Sequence, residues 1–153
     1  MPMTPFDRQL GLRLLGLHQL VYDRSGGLIG HRLGSLKMLL LRTTGRKSGE
    51  RRTAALLYLD DGQRYVVVGS KGGSDTPPAW LLNLEADPAV EVQVGTRRFP
   101  ALARRATPAE HRGLWPKLTR LWPGYERYQS QTRRRIPLVI LEPVAQASSS
   151  YLE

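Results

Sequence analysis

Apolar positions recur first at helical spacing and afterwards at strand spacing. Phe6, Leu10, Leu14, Leu17 and Val21 fall on one face of a helix, with Arg8 and Arg13 elsewhere on the turn, and Gly26-Gly27 ends it. From Ser35 onward the runs shorten. Leu36–Arg42 and Thr53–Leu59 read as strands flanking a Gly- and Lys/Arg-rich turn, and Asp61-Gly62 is a hairpin signal into the β-branched run Arg64–Val68. Thr76-Pro77-Pro78 opens a short helix to about Glu85, which Asp87-Pro88 ends. Val90, Val92 and Val94 alternate with Glu91 and Gln93, as in a half-buried strand, and Gly95-Thr96 turns into a partner, Arg97–Arg104. Thr107-Pro108-Ala109-Glu110 is a capping box that starts a helix to about Leu121, and Ile136–Leu141 is a last apolar strand.

This order is rich in hairpins and lacks the βαβ alternation of a doubly wound sheet. It predicts a mainly β fold with peripheral helices, an α+β barrel of six antiparallel strands. The expected organisation is an amphipathic N-terminal helix within residues 1–30, packed on the barrel or loosely attached, a barrel over 31–145, and a small, polar, frayed tail over 146–153. A chain of 153 residues suits one such domain.

Composition removes several function classes. No apolar run reaches the roughly 18–20 residues of a membrane span, and Arg8, Arg13 and His18 interrupt any signal-like stretch, so a cytoplasmic location is expected. The mixed faces of the N-terminal helix make a peripheral membrane contact the alternative to packing on the barrel. The absence of cysteine excludes disulfides, thiolate metal sites and cysteine nucleophiles. His18, His31 and His111 lack zinc-site spacing, so no metal is expected; Ser70 has no G-x-S-x-G context; and Asp60, Asp61, Glu85 and Asp87 sit at turns and helix ends. A net charge of +10 favours an anionic partner without choosing among them.

Two loops suggest which anion. Arg42-Thr43-Thr44-Gly45-Arg46-Lys47-Ser48-Gly49-Glu50-Arg51-Arg52 holds five cations, two glycines and three hydroxyl residues between apolar runs. Glycine lets backbone N–H groups face an oxyanion, hydroxyls donate further bonds, and Arg and Lys supply charge. Gly69-Ser70-Lys71-Gly72-Gly73-Ser74 repeats the chemistry some twenty positions later. A solvated turn explains either loop alone; the pair suggests one phosphate-bearing ligand held from two sides. Trp122, Tyr125 and Tyr128 share a face if helical, and would either cap the core or wall a pocket for a planar ring.

Leu41–Gly49, then Ser70-Lys71-Gly72-Gly73, Trp80–Pro88, and Trp115-Pro116 through Tyr125 resemble the deazaflavin-dependent nitroreductase and quinone reductase family over about residues 30–143. The resemblance implies a split β-barrel of the FMN-binding type that binds coenzyme F420, a deazaflavin whose side chain ends in a phosphate and an oligoglutamate tail. It implies hydride transfer from the reduced coenzyme to a quinone, a nitroaromatic or a similar electron-poor acceptor. By position, Arg46, Lys47, Ser48, Gly49 and Arg52 would grip phosphate and glutamyl carboxylates. Val68, Gly69, Ser70, Lys71 and Gly72 would line the deazaflavin and its side chain, with Trp80 and Asn83 close by. Trp122, Tyr125 and Tyr128 would form the acceptor pocket, and Ser70 would hydrogen-bond the substrate. A cofactor of this kind lets a chain without cysteine, metal or triad do redox chemistry.

Three positions depart from relatives. Arg51 stands where many have proline, which would add charge along the tail, and Leu57 and Leu81 stand where some have tyrosine, which favours an apolar acceptor such as a quinone. An FMN-binding oxidoreductase of the pyridoxamine-phosphate oxidase fold is the competing reading, because FMN also presents a phosphate; five cations exceed what one phosphate needs. A basic nucleic-acid-binding module, suggested by Arg133-Arg134-Arg135 and the nearby aromatics, lacks any known signature, so no nucleic-acid partner is expected. The acceptor, tail length and choice of monomer or dimer are not written in these motifs.

Overall fold

The six predicted strands are all present in the computed structural model, which describes residues 32–33 and 36–145. They are β2 (Leu36–Thr44), β3 (Arg51–Leu57), β5 (Tyr65–Val68), β6 (Ala89–Val94), β7 (Arg97–Arg105) and β8 (Leu138–Pro143). Two further pairs of residues, β1 (Arg32–Leu33) and β4 (Leu59–Asp60), raise the count among the described residues from six to eight. The predicted N-terminal helix and polar tail lie outside the described residues.

Every pairing is antiparallel, and the sheet runs β1-β2-β6-β7-β8-β5-β4 with β3 on the other flank of β2. The ring stays open between β3 and β4, which gives the split barrel. Thr53–Leu59 was expected as one strand, but the chain breaks at Tyr58. Its ring is buried in the core and its N–H still reaches the Lys37 carbonyl of β2 at 3.3 Å; beyond it, β4 pairs with β5. The Asp61-Gly62 turn has the expected hairpin chemistry, with Gly62 at φ +83° and its N–H on Asp60 Oδ1.

Strand parity sorts the buried apolar residues into three clusters, the smallest of them Met38, Leu40 and Ala55 on β2 and β3. Leu39, Leu41, Val67, Val92, Val139 and Leu141 fill the barrel interior. Val66, Val68, Leu138 and Ile140, on the opposite face of β5 and β8, pack outward against helices. Both strands are therefore covered on both sides, which is why they read as unbroken apolar runs. Helix α1 (Ala79–Ala86) sends Leu81 and Leu84 into the inner core. Helix α2 (Pro108–Leu121) and helix α3 (Gly124–Ser130) cover the outer face with Leu114, Leu118 and Tyr125.

The capping box of α2 forms as predicted, with Thr107 Oγ1 accepting from the Glu110 amide and Glu110 Oε1 accepting from the Thr107 amide. Glu110 also accepts from Arg104 on β7 and from Arg64 before β5. The Arg104 guanidinium first, then the Thr107 amide and Arg64, hold its carboxyl far below the usual carboxylate range. One side chain thus ties a helix start to two strands.

Candidate active site

The first loop joins β2 to β3 and is closed by its own bonds. Gly45 N–H donates to Glu50 O at 2.7 Å, Gly49 N–H to Gly45 O at 2.8 Å, and the Glu50 amide to Ser48 Oγ at 3.1 Å. Gly49 has φ +73°, a left-handed conformation in which a side chain would be strained. Asn83 on α1 pins the loop from below. This buried side chain accepts from the Arg46 amide at 3.2 Å and from Arg46 Nη1 at 3.0 Å, and donates to Thr43 Oγ1 at 3.3 Å.

Between loop and helix lies a cavity of about 390 Å³, lined among others by Arg46, Lys47, Ser48, Arg52, Trp80 and Asn83. Six of the proposed cofactor residues are thereby brought together. Neither Arg46 nor Lys47 has a carboxylate partner among the described residues, and Arg52 meets only the exposed Glu50, at 3.4 Å. The site thus presents cations, a hydroxyl and the edge of an indole to whatever enters.

The five cations of the first motif do not act together. Arg42 turns to the other face of the sheet, with Nη1 on Glu91 at 3.2 Å and Nη2 on Gln93 at 2.9 Å. Arg51 points the same way, 4.0 Å from Glu91, whereas Arg52, its neighbour on β3, faces the cavity. Successive strand residues point to opposite faces, so adjacent arginines cannot both serve the site. Arg51 therefore adds no charge to the cavity, which three of the five cations line. The two lost tyrosines also differ in position: Leu57 is half-buried, but Leu81 is wholly buried in the inner core beside Gly69.

The second loop lies elsewhere. Val68 ends β5 and Gly69, Ser70, Lys71 and Gly72 follow it; none of the five lines this cavity. Lys71, Gly72 and Gly73 are successive left-handed residues at φ +45°, +61° and +81°. For Lys71 that conformation costs about 1–2 kcal/mol. The Lys71 ammonium is exposed and donates to Thr76 Oγ1 at 3.3 Å. Ser70 is buried, yet its hydroxyl has no hydrogen-bond partner among the described residues. Buried polar groups are normally paired, and an unpaired one calls for an explanation.

Gly73 sits against the backbone of α3: a Cβ there would lie 2.8 Å from Tyr128 O and 2.9 Å from Tyr128 Cα. Gly73→Ala is therefore expected to lower stability by at least about 2 kcal/mol, from backbone strain plus the clash. Gly72→Ala, with open space around it, should cost only the strain, about 1 kcal/mol. Urea unfolding of both variants checks this; equal costs would mean that α3 yields easily.

The aromatic trio divides. Trp122 ends α2 with extended backbone, so it does not share a helical face with Tyr125 and Tyr128 on α3. Tyr125 is packed among Val66, Val68, Leu118 and Ile140, while Trp122 and Tyr128 lie half-buried at the edge of that cluster. Burial pushes the Tyr125 phenol up, and nearby Tyr128 adds to the shift.

One arginine had no role in the sequence motifs beyond its charge. Arg134, between α3 and β8, donates from all three side-chain nitrogens to second-loop carbonyls, at 2.7, 3.0 and 2.8 Å to Ser74, Gly69 and Ser70. Arg133 and Arg135 are exposed, so the triplet is not a continuous basic stripe. No group of three His, Asp or Glu side chains among the described residues is placed to hold a metal, and no described helix is long and apolar enough to cross a membrane.

Comparison with known proteins agrees with this chemistry. Residues 14–143 match the sequence profile of the F420H(2)-dependent quinone reductase family. An F420H(2)-dependent quinone reductase of Mycobacterium tuberculosis is 42% identical over 144 residues, spanning 88% of this chain and 93% of the relative. The solved structure of an F420-H2 dependent reductase, FDR-A, matches at 37% identity and a TM-score of 0.64 over 69% of this chain and 93% of its own. A solved domain-swapped dimer matches at 31% identity and a TM-score of 0.67, over 86% of this chain and 99% of its own. With residues 14–143 matched and a relative 42% identical over 88% of its length, the chain belongs to the F420H(2)-dependent quinone reductase family.

Proposed function

We propose that this chain is a reductase that uses reduced coenzyme F420 to deliver hydride to a quinone, with nitroaromatics as weaker acceptors. The observation that carries the reading is the cavity between the first loop and α1, where Arg46 and Lys47 lack any carboxylate partner among the described residues. The donor set fits the coenzyme's anionic side chain: three cations for phosphate and glutamyl carboxylates, and a hydroxyl. FMN would present its phosphate to the same groups, and the match to a family named for F420H(2) is what favours F420 over it.

In this reading Arg46, Lys47, Ser48, Gly49 and Arg52 hold the anionic end, while Trp80 and Asn83 set the floor. Val68, Gly69, Ser70, Lys71 and Gly72 lie against the ring and its side chain. When bound, the reduced coenzyme supplies the hydride; the chain supplies binding, orientation and water exclusion. Ser70, whose buried hydroxyl has no partner among the described residues, would donate a hydrogen bond to the acceptor's oxygen as charge develops there. Trp122 and Tyr128 would offer ring faces to a flat acceptor, with Tyr125 behind them as packing. Half-buried Leu57 keeps that region apolar, which favours a quinone over a nitro compound.

Fluorescence titration of the purified protein with F420 and with FMN tests the reading. Binding to F420 should be the tighter and should weaken with salt, since exposed charge pairs are screened over roughly 10 Å at 0.1 M. Equal affinities, or indifference to salt, would sink it.

A further inference from the structure

We infer that Arg134 is a positioning residue for the Gly69–Ser74 loop, locking it in the shape the coenzyme ring site requires; this rests on the functional reading above. The loop is poorly supported by its own bonds. Its internal contacts are Gly73 N–H to Ser70 O at 3.0 Å and Ser74 N–H to Lys71 O at 3.2 Å. It nevertheless holds three left-handed residues in a row, one of them a lysine. Such conformations persist only where surrounding structure over-determines them, and they gather at functional sites.

Arg134 supplies the side-chain part of that surrounding structure, beside the α3 backbone against Gly73 and Pro137 O, which accepts from the Gly69 amide at 2.9 Å. Its Nε, Nη1 and Nη2 donate to the carbonyls of Ser74, Gly69 and Ser70, which fixes both ends of the loop against one rigid plane. With these carbonyls gathered on the guanidinium, Ser70 is held by its own backbone. The arginine is itself anchored. Gln129 on α3 donates to Arg134 O at 2.8 Å and accepts from the Ile136 amide at 2.9 Å, bracketing it between α3 and β8. A lysine could not replace it, because a point ammonium lacks the planar fork that spans three acceptors at once. Asp75 is the carboxylate that faces the guanidinium, and burial is what disfavours its charge.

The test compares Arg134→Ala, Arg134→Lys and, as a control of equal charge change, Arg133→Ala in the full-length protein. Amide hydrogen exchange at Gly73 and Ser74, F420 affinity by fluorescence, and kcat with a soluble benzoquinone at saturating coenzyme are measured for each. Both Arg134 variants should exchange faster at these amides while β5 and β8 keep their protection, and kcat should fall about ten-fold or more. Millimolar methylguanidinium should restore kcat to Arg134→Ala, and Arg133→Ala should match the parent throughout. If Arg134→Ala does not fold, Arg134→Lys carries the comparison. The inference is overturned if Arg134→Lys keeps full kcat, or if exchange quickens across the whole barrel while kcat per folded enzyme is unchanged. A parent protein that does not bind F420 would overturn the functional reading instead, a result distinct from one in which it binds and the variants keep their turnover.

Discussion

Alanine at both Arg46 and Lys47 is expected to weaken F420 binding about a hundred-fold, at roughly 1.4 kcal/mol for each tenfold step. The two cations flank the cavity without carboxylate partners among the described residues, so an entering anion displaces no existing ion pair. Charge-assisted bonds of this kind contribute about 1.5–3 kcal/mol each, and exposure to solvent places these at the lower end. The single variants separate two effects. Arg46→Ala removes one bond to Asn83 Oδ1 but leaves the other, which comes from the main chain, so the loop should keep its course. Lys47→Ala removes charge alone. At saturating coenzyme, turnover with a quinone should stay within a few-fold of the parent if, as proposed, these groups hold the anionic end and not the reacting ring. Unchanged affinity in the double variant, or a collapse of turnover at saturation, would show that the anion sits elsewhere.

Tyr125→Ala should lower stability by about 3–5 kcal/mol, the usual range for deleting a large buried ring. The ring lies 5% exposed among Val66, Val68, Leu114, Leu118, Ile136, Leu138 and Ile140, and meets Tyr128 edge-on with centroids 6.2 Å apart. Its hydroxyl has no hydrogen-bond partner among the described residues, so Tyr125→Phe gives up no such bond and should unfold within about 1 kcal/mol of the parent. Urea unfolding measures both. Turnover then assigns the role of the hydroxyl: Tyr125→Phe should retain quinone reduction within a few-fold, and a ten-fold or larger loss would place the phenol in the transfer step itself.

Local rules carried the sequence reading far. The Thr107–Glu110 capping box and the Asp61-Gly62 hairpin each depend on residues a few positions apart, and each formed as read; the Val90–Val94 strand formed too, but Gln93, on its polar side, is wholly buried. What escaped depended on tertiary geometry. Which face of β3 meets the cavity is set by its register with β2, in which Thr43 lies opposite Arg52 and Thr44 opposite Arg51; no pattern of adjacent arginines reveals that one is turned toward Glu91. Tyr58 reads like one more strand residue until the inner core is built around it. Trp122, Tyr125 and Tyr128 keep a spacing of three, but α2 ends at Leu121 and breaks their common face. Arg134 looks like the middle of a basic run, because its acceptors lie 60 to 65 residues away.

The closed turn on β2 has a consequence for how binding proceeds. Gly45–Glu50 is shaped by its own backbone bonds, pinned by Asn83, and mounted on a strand that is paired along both edges by β3 and β6. Its conformational entropy is surrendered when the barrel folds, not when ligand arrives. An anion therefore meets a preorganised receptor, and little of the interaction energy is consumed in ordering the protein. Association should then be governed by diffusion and long-range attraction, and differences in affinity among ligands should appear mainly in how slowly each one leaves.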